Sequence, residues 1–164
     1  MEPPIRKPTR LRKFNYSESG AYFLTICTQS KEHLLSNVRA GVGVLDGPEI
    51  RLTEYGKIVD AQIAEIDRVC ADVSIDRYII MPNHVHLLIS IYVDGPSGTS
   101  APTNARIPAL VSVFKRFTNQ KCGTSLWQRS YHDHIIRNEA DYLKHWQYID
   151  ANPARWTEDE YFTS

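Results

Sequence analysis

Two periods of hydrophobic alternation run along this chain, and the changes between them mark its elements. "AYFLTICT" (21–28) is a short run of aromatic and β-branched residues and predicts a first strand. From Thr53, a helix-capping residue type, Tyr55, Ile58, Val59, Ile63, Ile66 and Val69 recur at helical spacing and predict an amphipathic helix. "VSIDRYIIMP" (73–82) and "HVHLLISIY" (84–92) return to a strand pattern. They meet at "MPNH", where Pro82 cannot donate to a ladder and Asn83 tolerates turn geometry, so a hairpin is predicted. A second amphipathic helix, "ALVSVFKRFTNQK" (109–121), places Leu110, Val113, Phe114 and Phe117 on one side and Lys115, Arg116 and Lys121 on the other. A third, "EADYLKHWQYIDAN" (139–152), is capped by Asn138 and stopped by Pro153.

The segments between are weaker in pattern. Residues 33–52 read as a loose hairpin or an insertion, and 125–138 as irregular or short-strand structure. Residues 93–106, dense in Gly, Pro, Ser and Thr, read as a mobile linker within a domain of 21–156. A basic, proline-bearing arm (1–20) precedes that domain and an acidic tail (157–164) follows it. The order strand, helix, strand, strand, helix, helix predicts an α+β fold of the split βαβ, ferredoxin-like or RRM-like kind. Helices then cover one face of an antiparallel sheet, and the other face is left for a ligand.

Length and composition narrow the class. The chain has 164 residues, 42% apolar and 23% charged, which suits one globular domain and excludes disordered or fibrous classes. Formal net charge is zero, but it is segregated: Arg6, Lys7, Arg10, Arg12 and Lys13 stand without an acid among them, whereas 45–76 is acidic. Cys27, Cys70 and Cys122 have no CxxC spacing, so neither a zinc knuckle nor a disulfide framework is indicated and a reducing cytoplasm is expected. No run approaches the ~18 apolar residues of a membrane span.

His84 and His86 change the picture further. Residues i and i+2 of a strand point to the same side, so the two imidazoles project together, away from Leu87, Ile89 and Ile91. Such a pair can converge on one cation but needs at least one more ligand.

"MPNHVHLL" resembles the HUH motif (His, bulky apolar, His) of the single-tyrosine, insertion-sequence-200-like transposases and their relatives that cut single-stranded DNA. "RKPTRLRKFNYSESGAYFLTICTQSKEHLL" and "WQRSYHDHIIRNEADYLKHWQYIDANPARW" are similar to the REP-associated subgroup, so the resemblance covers most of the chain. It implies a metal-dependent endonuclease and strand transferase that cuts near hairpin or palindromic DNA. In that chemistry a tyrosine attacks the phosphodiester to give a 5′-phosphotyrosine and a free 3′-hydroxyl, with Mg²⁺ or Mn²⁺ polarising the phosphate. It implies Tyr148, just before the "NP" pair, as nucleophile, and His84, His86 and Asn152 as metal ligands. Asn152 stands one helical turn beyond Tyr148.

Basic residues supply the expected phosphate contacts: Arg10, Arg12 and Lys13 on the arm, then Lys115, Arg116, Arg129 and Arg137. Tyr131, beside His132 and His134, is the second candidate nucleophile. The expected partner is single-stranded or hairpin DNA in the cytoplasm at the nucleoid, with no membrane, and family members are either monomers or swapped dimers. Two other readings stay open: a metal hydrolase that activates water, with Tyr148 only orienting it, and a non-catalytic single-strand binding module on the same sheet.

Overall fold

A computed structural model describes residues 20–41, 47–92 and 106–164. Its elements in chain order are β1 (Gly20–Cys27), β2 (Ser36–Arg39), β3 (Glu49–Leu52), α1 (Glu54–Val69), β4 (Val73–Ile80), β5 (His84–Ile91), α2 (Arg106–Cys122), β6 (His132–Ile136) and α3 (Glu139–Ala151). Short 3₁₀ turns occupy Gln29–Lys31 and Pro153–Glu158. The main sheet has the order β4-β5-β1-β6 and every pair in it is antiparallel. The weakly patterned segment 33–52 forms a separate two-stranded hairpin from β2 and β3.

The central strands β1 and β5 are apolar on both faces because both faces are covered. Tyr22, Leu24 and Ile26 of β1 and Val85, Leu87, Ile89 and Ile91 of β5 pack with Val59, Ile63 and Ile66 of α1 and Ile107, Leu110, Val111 and Phe114 of α2. Each such buried side chain contributes about 1.5–3 kcal/mol of transfer free energy. On the opposite face Phe23 and Leu88 pack with Ile149 of α3, flanked by Tyr142 and Trp146. So α1 and α2 cover one face as the element order predicts, and α3 closes the face that the sequence reading leaves free.

Polar contacts supplement that second, smaller cluster. The Tyr142 hydroxyl donates to Asp76 Oδ2 at 2.9 Å, Arg77 Nε donates to Asp150 Oδ1 at 2.8 Å, and the Arg77 guanidinium lies 5.2 Å from the Trp146 ring. The helix starts are capped as their sequences predict. Thr53 Oγ1 accepts from Gly56 N at 3.1 Å and Asn138 Oδ1 from Asp141 N at 2.8 Å.

Helix α2 departs from its predicted stripe. It begins at Arg106, and its buried side is Ile107, Leu110, Val111, Phe114 and Thr118, while Val113 and Phe117 are 39% and 37% exposed. Thr118 can lie in the core because its hydroxyl donates back to Phe114 O at 2.8 Å and accepts from Trp127 Nε1 at 2.8 Å. An apolar-only count gives that position to the wrong face. Val69, expected on the α1 stripe, is likewise exposed at the helix end. No helix among the described residues is long and apolar enough to cross a membrane. The arm of residues 1–19, with Arg10, Arg12 and Lys13, and linker residues 93–105 lie outside the described residues.

Candidate active site

The histidine pair is set by strand register and a tight turn. Cys27 pairs with His84 and Thr25 with His86 across the β1–β5 ladder, and Met81 N donates to His84 O at 2.9 Å to close the Pro82–Asn83 turn. The Asn83 amide nitrogen donates to Tyr161 O at 2.7 Å and to Lys31 O at 3.3 Å, which turns its oxygen toward His84 Nδ1 at 2.8 Å. That oxygen can only accept, so His84 carries its proton on Nδ1 and presents the Nε2 lone pair. His86 Nδ1 meets the Thr25 hydroxyl at 2.8 Å. The two Nε2 atoms then face each other at 3.0 Å.

Burial holds both imidazoles neutral. His84 is brought down to about 4, chiefly by desolvation, and His86 is well below its ordinary value for the same reason, with the neighbouring His84 adding to the effect. Two neutral imidazoles whose Nε2 atoms meet at hydrogen-bond distance need either a proton or a cation between them, and neutral imidazole is the metal-binding form.

Helix α3 brings the remaining expected residues to this pair. The Tyr148 ring centroid is 5.3 Å from that of His86 and 5.9 Å from that of Phe23, and its side chain is part of the wall of an open cleft of about 960 Å³. Burial, helped by the Asp159 carboxylate, pushes its hydroxyl up to about 12. Tyr148 is therefore protonated at neutral pH. Asn152 is buried; its Nδ2 donates to Asp159 Oδ2 at 2.6 Å, while its Oδ1 has no hydrogen-bond partner among the described residues. A buried orphan carbonyl oxygen beside two imidazole lone pairs suits a cation ligand.

The chain end supplies what the sequence reading omits. Residues 157–164, expected as a tail outside the domain, fold back onto the site. A carboxylate oxygen of Asp159 lies within 4.8 Å of ring nitrogens of His84 and His86, close enough for the three to hold one ion. The Tyr161 ring centroid is 4.8 Å from that of His84, the Trp156 ring centroid is 5.9 Å from it, and Thr163 Oγ1 meets His33 Nε2 at 2.9 Å. His84 and His86 are consequently 0% and 1% exposed, where the sequence reading has them facing open space. Burial raises the Tyr161 hydroxyl still further than that of Tyr148. Acidic composition reads as solvated surface, and nothing in residue spacing predicts this return.

The basic residues named from sequence lie elsewhere. Lys115 Nζ donates to the carbonyl oxygens of Gln128, Arg129 and Ser130 at 2.7, 3.2 and 3.2 Å, so it ties a loop. Arg116, Arg129 and Arg137 are exposed away from the cleft wall, to which Lys144 and Arg155 contribute instead. Tyr131 is buried in the main core on the α1–α2 side, with the Lys115 ammonium 5.8 Å from its ring. His132 and His134 do border the cleft.

No family model matches the chain. An uncharacterized protein of Haemophilus influenzae is 32% identical over 177 residues, spanning 96% of this chain and 93% of that one. A putative REP-associated tyrosine transposase of the same organism is 23% identical over 149 residues, spanning 86% of this chain and 74% of that one. Among solved structures, a REP-associated tyrosine transposase bound to a REP hairpin superposes with a TM-score of 0.62 at 21% identity, covering 90% of this chain and 73% of that one. Its fold is shared with the sheet and helices described above. The chain belongs to one family with the first Haemophilus protein; it is similar in sequence to the REP-associated tyrosine transposase of that organism and shares the fold of the solved one.

Proposed function

We propose that this protein cuts and rejoins single-stranded DNA beside a hairpin, using Tyr148 as nucleophile and a divalent ion held by His84, His86 and Asn152. The observation that carries the reading is the convergence of the two Nε2 atoms at 3.0 Å beneath Tyr148, with the orphan Asn152 Oδ1 at the same place. When bound, Mg²⁺ or Mn²⁺ would stabilise the charge that builds on the phosphoryl oxygens. The chain's own groups do the rest. Tyr148 is protonated, and the Asp159 carboxylate beside it takes the proton as the phenolic oxygen attacks phosphorus. The new bond joins that oxygen to the 5′-phosphate, and the departing 3′-oxygen is protonated from solvent. Asn83 holds His84 in the tautomer the ion requires, and the Thr25 hydroxyl orients the His86 ring.

Lys144 and Arg155 on the cleft wall are the cations placed to meet the DNA backbone near the site. The hairpin as partner rests on the solved relative described as bound to a REP hairpin. Within one chain the Tyr148 ring stands 5.3 Å from that of His86, which supports a site assembled by a single chain.

The test is incubation of wild type and Tyr148→Phe with labelled hairpin oligonucleotides carrying single-stranded flanks, in Mn²⁺ or Mg²⁺, followed by a denaturing gel. Wild type forms a protein–DNA adduct that chelator abolishes, and Tyr148→Phe binds the DNA but forms none. Cleavage without an adduct in both proteins assigns the pair to water activation instead. Binding that ignores chelator and leaves the DNA uncut assigns a binding module.

A further inference from the structure

Strand β6 and helix α3 bring a second set of ligand-type side chains together on the same cleft. His134, Asp141 and His145 each offer one ligand atom, and the three atoms lie within 4.8 Å of one another. His134 Nε2 is 2.8 Å from Asp141 Oδ2, and His145 Nδ1 is 3.2 Å from Asp141 Oδ1. The two imidazoles stack with centroids 4.6 Å apart and an interplanar angle of 22°. The side chains of Asp141 and His145 are 18% and 17% exposed, and that of His134 is 45% exposed.

Three features favour an ion over a simple hydrogen-bonded tether. Two imidazoles with one carboxylate are a donor set that holds Zn²⁺ and similar divalent transition metals. The spacing also fits: donors about 2.1 Å from a tetrahedral ion stand about 3.4 Å apart. The observed separations, 2.8 and 3.2 Å, run from the two imidazoles to different oxygens of the one carboxylate, so a small outward movement of the half-exposed His134 ring would admit an ion in place of the shared protons. Finally, the carboxylate is oriented before any ion arrives. Arg137 N donates to Asp141 Oδ2 at 3.1 Å and the Asp141 amide donates to the Asn138 cap; His145 Nδ1 donates to Asp141 O at 2.8 Å, so an ion bound at that nitrogen would displace its proton. Groups held this way on a helix make a rigid site, and His134 and His145 border the cleft, which gives an ion an entry path.

We propose that His134, Asp141 and His145 form a second divalent-metal site of the zinc class, separate from the His84–His86 site, that clamps α3 to β6. The Phe23 ring separates the two sites, 4.7 Å from His145 and 5.0 Å from His86 by ring centroids. The ion acts on the helix that carries Tyr148. That helix also packs through a small apolar cluster and polar contacts of Arg77 with Asp150 and of Tyr142 with Asp76. The inference does not depend on the reading of Tyr148 as a nucleophile.

The experiment counts ions. The full chain is stripped with chelator, loaded with Zn²⁺ and dialysed. The metal-to-protein ratio is then measured for wild type, His84→Ala/His86→Ala, His134→Ala/His145→Ala and the fourfold variant, with circular dichroism to verify folding. Wild type should retain two equivalents, each double variant one and the fourfold variant none. Zn²⁺ should raise the melting temperature of His84→Ala/His86→Ala and leave that of the fourfold variant unchanged. A metal count in His134→Ala/His145→Ala equal to that of wild type overturns the proposal, whatever the His84–His86 site holds. Should replacement of the buried pair prevent folding, the comparison of wild type with His134→Gln/His145→Gln decides alone. Failure to form a DNA adduct would leave all of these counts unchanged, so the two ideas fail separately.

Discussion

Gly56 is the position where one added carbon should disturb both the core and the site. A Cβ built there would lie 2.0 Å from Leu35 O, 3.1 Å from Leu35 C and 3.2 Å from Leu52 Cβ. A normal carbon–oxygen contact is about 3.3 Å or more, so α1 and the chain at Leu35 must separate by about 1.3 Å. That carbonyl is not free to swing. It accepts from Thr53 N at 2.9 Å, while Leu35 N donates to Pro82 O at 3.0 Å, in the turn that leads into His84. Overpacking of this kind costs about 1–3 kcal/mol. Disturbing the Thr53 cap costs about 1 kcal/mol, which roughly offsets the gain of up to about 1 kcal/mol from placing Ala in a helix. Gly56→Ala should therefore lose about 2 kcal/mol, or about 4–8 °C in melting temperature for a chain of this size. Thermal denaturation followed by circular dichroism measures this, with Gly47→Ala as the control because nothing lies within 4 Å of its added carbon. A Gly56→Ala protein as stable as wild type would refute the reasoning, since helix propensity would then outweigh the contact.

Three further outcomes follow from contacts at and near the site. Thr25→Val removes the hydroxyl that meets His86 Nδ1 and should weaken binding of Mn²⁺ at the His84–His86 site by about 10–100-fold; titration calorimetry on the His134→Ala/His145→Ala background reads it, and unchanged affinity would show that His86 needs no orienting partner. Tyr161→Ala uncovers the two imidazoles, now hidden beneath the ring, and should speed adduct formation with hairpin DNA; slower formation would place Tyr161 among the groups that hold substrate. Burial pushes the Cys27 thiol up to about 11, leaving roughly one thiolate in a thousand at pH 8. Iodoacetamide at that pH should spare Cys27 in the native protein and modify it in urea, as mass spectrometry would show; labelling without unfolding would contradict its burial.

Local periodicity made much of this molecule legible. The i, i+2 rule put His84 and His86 on one side of a strand, and the i, i+4 rule put Tyr148 and Asn152 on one side of α3, because both follow from backbone geometry alone. Asp159 and Tyr161 were not legible. Their place depends on the turn at Pro153–Glu158 and on Trp156 packing beside His84, which are long-range events that no spacing records. Charge counting misjudged Lys115 for a similar reason, since three converging backbone carbonyls leave no mark in the sequence. Apolar counting misplaced Val113 and Phe117 because Thr118 satisfies its hydroxyl within the helix and so takes a buried position.

The order in which the site's parts occur along the chain has a consequence for protein synthesis. The histidine pair lies in the β4–β5 hairpin and can dock on β1 early, but Tyr148 and Asn152 follow about sixty residues later, beyond α2 and β6. At about 5–20 residues per second, a growing chain spends several seconds with its imidazoles in place and no tyrosine helix over them. On the reading given to Tyr148, the order of synthesis therefore acts as a safety catch: a half-made chain is unarmed, and one truncated before α3 stays so.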